Sequence, residues 1–420
     1  MTRVVVIGAG IAGLTTCLRL AAAGAQVTLL TKGIGGLQLS QGTVDIFGYA
    51  PHRVGCPLEA VGDVARDKPD HPYAVIGAEA VRTGAEFLRD AVGPDLLTGD
   101  VGSNHQLPTA VGAVRPTCLA QPSMIAGECR DGARFTIVGL RQLKDFPAAL
   151  IAGNLARTVL DGGGRMSARH VVVDFPARDG EADSSGLVYA RAFDDEGFRG
   201  RFAELVASLV TDGEVVGLPA VLGLNDRSAW RDLADRIGHP VFEIPLPPPS
   251  VPGMRLNETL TAAVKAARVR VVLGSRVTGV DAEPGRVRAV SIAAAGGPRK
   301  FAADAFVLAA GGFESGGLVL DSYGRVSETI FGLPLAGLPE APDELVVGEF
   351  WGAEQPLFAV GVRVDERMRP LGADATPVYA NLHAAGGVLA GAQRWSEKSG
   401  EGIALGSAVR AADAIVEESE

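Results

Sequence analysis

The sequence predicts an α/β fold: a parallel sheet interrupted by a second α/β domain. Three observations predict it. A short apolar run near the start is closed by a glycine-rich turn and followed by a helical pattern. Apolar runs and helical segments then alternate through the middle of the chain. Two late strands, one from Phe306 and one from Leu382, end in glycines. Alternating strands and helices give a parallel sheet covered on both faces, because each crossover lays a helix on one face.

Residues 3–7 (Arg-Val-Val-Val-Ile), closed by Gly8, read as a buried parallel strand. Ile11, Leu14, Leu18 and Ala22 recur at helical spacing over 11–23, and Gly24 is a stop. A second strand at 26–30 completes a βαβ unit. Further strands start at Phe135, Val171, Glu214 and Pro240, with helices expected over 143–160 and 198–211. The prolines between Pro245 and Pro252 predict an extended connector. A helix at 254–267 follows, then strands at 269–273, 275–281, 286–293 and 304–309, and a last helix at 402–418. The expected domains are 1–50 and 251–420, forming one body, with 51–250 inserted as a parallel α/β domain.

A chain of 420 residues is long enough for two or three well-buried cores. The formal net charge is −10 and no Lys/Arg run occurs, which argues against nucleic acid as a partner. Cys17, Cys56, Cys118 and Cys129 form no Cys-x-x-Cys pair and no zinc or iron–sulfur spacing. Free thiols in a reducing compartment, and no metal, are expected. The first strand begins at once, with no signal peptide ahead of it, and no stretch approaches the ~20 apolar residues of a membrane helix.

Gly8-Ala9-Gly10-Ile11-Ala12-Gly13 is a Gly-x-Gly-x-x-Gly between strand and helix. The first glycine permits the tight turn, the second lets a pyrophosphate approach the backbone, and the third lets helix and strand pack closely. The helix N-terminus offers N–H groups and a positive dipole end. A ligand-free glycine turn is the bland alternative; the strand–turn–helix setting favours a dinucleotide or flavin. The second strand ends in Thr31-Lys32-Gly33 rather than in the acid that binds an adenosine ribose, which keeps FMN in play beside FAD. Ser40, Gly42 and Thr43 suit a pyrophosphate or ribityl chain, and equally a surface turn. Val277, Ala310, Gly311, Gly386, Gly387 and Gly402 complete the expected cofactor set, with Gly402 opening a helix whose N-terminus favours negative charge on a reduced flavin ring. Together these features predict a two-dinucleotide-binding flavoprotein (Rossmann-like) fold.

His71, His105 and His383 are candidate proton carriers, though a lone loop histidine is more often structural. Arg115, Arg255 and Lys398 are candidate phosphate contacts, though such residues more often form surface salt bridges. Trp351 and Trp395 suit packing or an interface better than flavin stacking. No clamp-plus-base constellation emerges, so no catalytic residue is assigned.

Beyond the generic glycines, the chain carries Ser40-Gln-Gly-Thr-Val-Asp45, His71-Pro-Tyr73, Gly112-Ala-Val-Arg-Pro-Thr117 and Ile137-Val-Gly-Leu140 with Asp145-Phe146. It also carries Leu246-Pro-Pro-Pro-Ser-Val-Pro-Gly253 and Gly311-Gly-Phe-Glu-Ser-Gly-Gly-Leu318. On these segments it resembles, along nearly its whole length, the B-subunit family of the anaerobic glycerol-3-phosphate dehydrogenases. The resemblance implies a three-subunit enzyme that oxidises sn-glycerol 3-phosphate to dihydroxyacetone phosphate and passes electrons to quinone. It implies two partners, a catalytic flavoprotein subunit and an iron–sulfur subunit that touches the membrane. It implies FMN in the B-subunit itself. A cytoplasmic chain, peripheral to the membrane through a partner, follows. One departure stands out: many flavin relatives carry Asp where this chain has Gly387, so a backbone or water contact would have to hold the ribityl chain. A self-sufficient FAD-dependent oxidoreductase, or a structural protein with a decayed flavin site, are the alternatives.

Overall fold

The computed structural model describes residues 1–349 and 352–419. The chain forms two compact units. One comprises Met1–Gly36, Asp45–Ala91 and Leu260–Glu420; the other comprises Leu37–Val44 and Val92–Thr259. These limits differ from boundaries at 50 and 250. Residues 45–91 fold with the first unit, as helices Pro57–Asp67, Pro72–Ile76 and most of Ala78–Val92. The short stretch 37–44 folds with the second, where the Val44 N–H donates to the Leu119 carbonyl at 2.8 Å.

The first unit is built on a five-stranded sheet in the order Arg270–Leu273, Gln26–Thr31, Arg3–Ile7, Ala305–Leu308, Leu382–Ala384. All neighbours run parallel, with Val4 opposite Ala305 and Val27, and Val307 opposite His383. Val4, Val5, Val6, Leu29, Leu30 and Phe306 are buried, as expected of strands covered on both faces. Helices Ile11–Ala22 and Gly400–Glu417 pack against one another, with Leu14, Leu18, Leu405 and Val409 buried. Strands Val277–Glu283, Arg286–Ile292 and Arg299–Ala302 form a separate antiparallel sheet.

The second unit holds a four-stranded parallel sheet, in the order Val241–Ile244, Val215–Pro219, Arg134–Leu140, Ser167–Val173. Phe193 stacks edge-on to Phe198 and Phe202 at 5.0 and 5.2 Å in its core. Helix Ala148–Arg157 is shorter than the expected 143–160, because Pro147 sits at its N-cap and starts it late. The proline-rich connector ends sooner than expected: a helix begins at Val251, with Pro252 in its first turn, where a missing N–H costs nothing.

Candidate functional site

The carboxyl ends of the first unit's strands carry its turns of small residues, as parallel sheets arrange their ligand crevices. Gly8 has φ +113°, and a Cβ there would lie 2.1 Å from the Ala309 carbonyl oxygen. A Cβ at Gly13 would lie 1.9 Å from the carbonyl oxygen of Gly8. Both glycines are therefore required by the protein's own packing. Gly10 is different: its backbone is extended, at φ −74° and ψ 179°, and a Cβ there meets no atom within 4 Å. Nothing in the fold needs a glycine at that position, and the space above it is open. Gly10 is also the N-cap of helix Ile11–Ala22 and supplies no side-chain cap. The site thus has the form of a phosphate cradle: a bare backbone at a helix N-terminus, with space where a side chain would otherwise stand.

Neighbouring turns close around this loop. Gly35, at φ +80°, approaches the Ala9 carbonyl so nearly that a Cβ would lie 2.1 Å away. Thr31 is buried at the end of its strand, and its hydroxyl donates to the Gly33 carbonyl at 2.5 Å. Lys32 beside it is exposed. The Ser275 N–H donates to the Thr31 carbonyl at 3.1 Å, which brings the strand bearing buried Val277 to the same edge. Ala310 and Gly311 follow the strand whose last residues border Gly8. Gly386, at φ +79°, presses on Ala12, and its N–H donates to the Ser407 hydroxyl at 2.9 Å.

The fold adds Arg394, which the sequence patterns do not single out. A Cβ at Gly387 would lie 2.3 Å from Arg394 Nη1, and one at Gly312 would lie 2.9 Å from Arg394 Nη2. The guanidinium fills the volume that a side chain at 387 would take, with Glu314 3.9 Å away. Its lone signal in the sequence is a cation following two glycine-ended segments, which spacing alone does not distinguish from a surface residue.

Other expected contacts lie elsewhere. Gly402 is closed in: its N–H donates to the Asp45 carbonyl at 3.1 Å, and a Cβ would lie 2.2 Å from the Tyr73 hydroxyl. It does not offer the expected open helix terminus, because Ile46 and Tyr73 cover it. Ser40, Gly42 and Thr43 belong to the second unit. There the Ser40 hydroxyl donates to the Leu37 carbonyl at 2.8 Å, Gly42 admits Pro252, and Thr43 accepts from Arg115 at 3.0 Å.

The candidate proton carriers and clamps are mostly structural. His383 is fully buried, with Nδ1 2.7 Å from the Arg367 carbonyl, and burial lowers its pKa below the usual histidine range. His105 lies 3.2 Å from Glu128, whose carboxyl is held at about 2, chiefly by that hydrogen bond. Arg255 is saturated inside the second unit: it donates to Glu243, Gln121 and the Gly223 carbonyl. Lys398 stands over the Trp395 ring at 5.8 Å. Trp351 lies outside the described residues. His71 joins a buried polar cluster, with Nε2 3.2 Å from Glu397, itself bonded by the Ser399 hydroxyl at 3.0 Å. The pair is 326 residues apart, so no local pattern announces it.

Among the described residues no group of His, Cys, Asp or Glu is arranged to hold a metal ion. No described helix is long and apolar enough to cross a membrane.

The FAD binding domain family matches residues 3–403. The chain is 35% identical to the probable B-subunit of anaerobic glycerol-3-phosphate dehydrogenase from Halobacterium salinarum, covering 99% of this chain and 98% of the relative. It is 30% identical to the B-subunit of anaerobic glycerol-3-phosphate dehydrogenase from Pectobacterium atrosepticum, with the same coverage of 99% and 98%. Among solved structures it is similar to 3-ketosteroid delta1-dehydrogenase from Sterolibacterium denitrificans, at 11% identity and TM-score 0.46 over 100% of both chains.

Proposed function

Because this chain belongs to the FAD binding domain family and, within it, to the B-subunits of anaerobic glycerol-3-phosphate dehydrogenase, we propose that it is the electron-relaying flavoprotein of a quinone-linked enzyme oxidising sn-glycerol 3-phosphate to dihydroxyacetone phosphate. The observation that carries this reading is the open space over Gly10, held between two glycines that the fold itself requires. A bound flavin supplies reversible electron storage, and binding, orientation and electrostatics fall to the chain. In this reading Gly8, Ala9, Gly10, Ile11, Ala12 and Gly13 offer their backbone to the phosphate. Thr31 and Lys32 border its ribityl or ribose side. Ala310, Gly311, Gly386 and Gly387 form the turns beside it, packed by Ser315, Ala12 and Arg394, and Arg394 supplies a positive charge.

A relay is favoured over a self-sufficient oxidoreductase by how the candidate clamps and bases are already engaged. Oxidising a secondary alcohol needs an anion clamp and a base, both within reach of the cofactor. Arg255, Arg115 and Lys398 are engaged by other groups, and His383 is buried inside its strand. The proposed partners are the enzyme's catalytic flavoprotein and its iron–sulfur protein, and membrane contact is through them.

FMN is the proposed flavin. Thr31 offers one hydroxyl, already donating to Gly33, where an adenosine ribose calls for a carboxylate. FAD is the second reading, favoured by the description of the family. Acid extraction and mass spectrometry of the released cofactor decide between them. The relay is tested by anaerobic stopped-flow mixing of the flavin-loaded chain with glycerol 3-phosphate. Bleaching only after the catalytic flavoprotein partner is added supports it; rapid bleaching of the isolated chain overturns it.

A further inference from the structure

We propose that the surface formed by residues 318–349 and 352–358 together with Trp395 is the face by which this chain docks onto a partner protein, and that the partner's face is an apolar pocket ringed by Lys and Arg. The inference rests on the reading of the chain as one component of a larger enzyme.

Large apolar side chains concentrate there. Tyr323 is 89% exposed, Trp395 66% and Val346 59%, and Leu338 and Phe358 are exposed as well. They share one surface. The hairpin of Leu318–Leu320 and Val326–Glu328 carries Tyr323 in its turn, and Gly324 in that turn lies against Pro342, where a Cβ would be 2.6 Å from the ring. Pro342 opens the short helix that leads to Val346. The Gln355 amide bonds both the N–H and the carbonyl of Val347, at 2.7 and 3.0 Å. The Gln393 amide then donates to the Gln355 carbonyl at 3.0 Å, joining Trp395's segment to that of Phe358. Leu338 follows Gly337, which abuts the Ala359 carbonyl. Exposed aromatic and aliphatic side chains gathered in this way mark an interaction site, and Tyr, Trp and Phe are the residues that interfaces favour.

Charge selects the occupant. From 326 to 362 the sequence has six acids and no Lys, Arg or His. Glu328 is buried and accepts the N–H groups of Ile330, Phe331 and Leu333. Glu340, Asp343, Glu344, Glu349 and Glu354 are exposed around the apolar residues. Among the cations at the border are Arg325, exposed beside Tyr323 in the hairpin turn, Lys68, 3.2 Å from Glu354, and Lys398 over Trp395, so the acids outnumber them. A second copy would bring acid against acid, and an anionic lipid surface would be repelled. A basic protein face with an apolar centre satisfies both halves of the surface, with the aromatic residues as anchors and the acids as a steering rim.

The test is co-expression of the full chain with the catalytic flavoprotein and the iron–sulfur protein of its enzyme. Affinity recovery follows at low and high salt, through a tag on the catalytic flavoprotein. The variants are Tyr323→Ser with Phe358→Ser, and Asp343→Lys with Glu349→Lys. Flavin content and melting temperature of the isolated chain should stay at the wild-type level. Recovery should fall at least about tenfold for the first pair, the size of a lost interface anchor. The second pair should also bind weakly and should lose the salt dependence of the wild type. Recovery of both pairs at the wild-type level overturns the proposal. So does wild-type self-association that the first pair abolishes, or binding of the isolated chain to phosphatidylglycerol vesicles that it abolishes. If the wild-type chain itself is not recovered with the tagged flavoprotein, the reading of the chain as part of that enzyme falls instead.

Discussion

Nε2 of His71 lies 3.2 Å from Oε2 of Glu397, and both side chains are buried. The Tyr73 N–H donates to His71 Nδ1 at 3.1 Å, so the ring proton sits on Nε2 and points at the carboxylate. Burial pushes the Glu397 carboxyl up, but hydrogen bonds from His71 and Ser399 and the charge of Lys68 outweigh it, and the net pKa is lowered. A lowered carboxyl stabilises the fold above its unfolded pKa and loses that contribution as pH falls through the folded value.

Glu397→Ala should therefore cost about 2–4 kcal/mol, because it strands two buried donors. Glu397→Gln keeps an acceptor and should cost less. Urea denaturation from pH 7 downward checks both. Wild type should lose stability more steeply below about pH 4.5 than Glu397→Gln does. Parallel acid limbs would mean that the pair carries no linked proton.

Gly10→Val should fold normally and fail to hold flavin. The backbone there is extended, and a Cβ meets nothing, so the protein has no reason to resist the change. Gly13→Ala should do the opposite first, destabilising by about 1–3 kcal/mol or more, since its methyl would overlap the Gly8 carbonyl. Visible absorbance per chain and circular-dichroism melting separate the two. A folded Gly10→Val protein with full flavin content would falsify the cradle.

Glu243→Ala should cost about 3–5 kcal/mol, because it leaves Arg255 buried without its charge partner. Arg255→Met combined with Glu243→Leu should recover much of that loss. In the assembled enzyme the double variant should leave KM for glycerol 3-phosphate unchanged. A raised KM with unaltered melting would show that Arg255 meets the substrate after all.

The fold is legible where its determinants are local. Residues 3–31 announce strand, turn and helix through contiguous apolar runs and three glycines at fixed offsets, and the structure reproduces them nearly residue for residue. Helix Ala78–Val92 is harder to see although its apolar positions repeat helically, as is the hairpin of His105–Pro108 with Val114–Thr117. Their polar neighbours hide them from a reading that looks for apolar runs. Gly8 and Gly13 are legible because steric need fixes them, whereas Gly10, which packing does not require, is legible only by its place between them. The partners of His71 and the placement of Arg394 are not, since each depends on segments joined only by the tertiary fold.

The order of strands in the first sheet sets a timetable for synthesis. Strand Arg3–Ile7 pairs on one side with Gln26–Thr31, available at once, and on the other with Ala305–Leu308, about 300 residues later. At ribosomal rates of about 5–20 residues per second, the opening βαβ segment waits on the order of 15–60 s for its second neighbour. Residues 92–259 meanwhile emerge as a nearly continuous block with its own sheet and aromatic core. The second unit can therefore mature first, while an apolar strand edge ending in Gly8 stays open on the nascent chain. That edge is a template for mispairing. A chain truncated before residue 305 should expose it permanently, and would be expected to aggregate or occupy chaperones while residues 92–259 remain soundly folded.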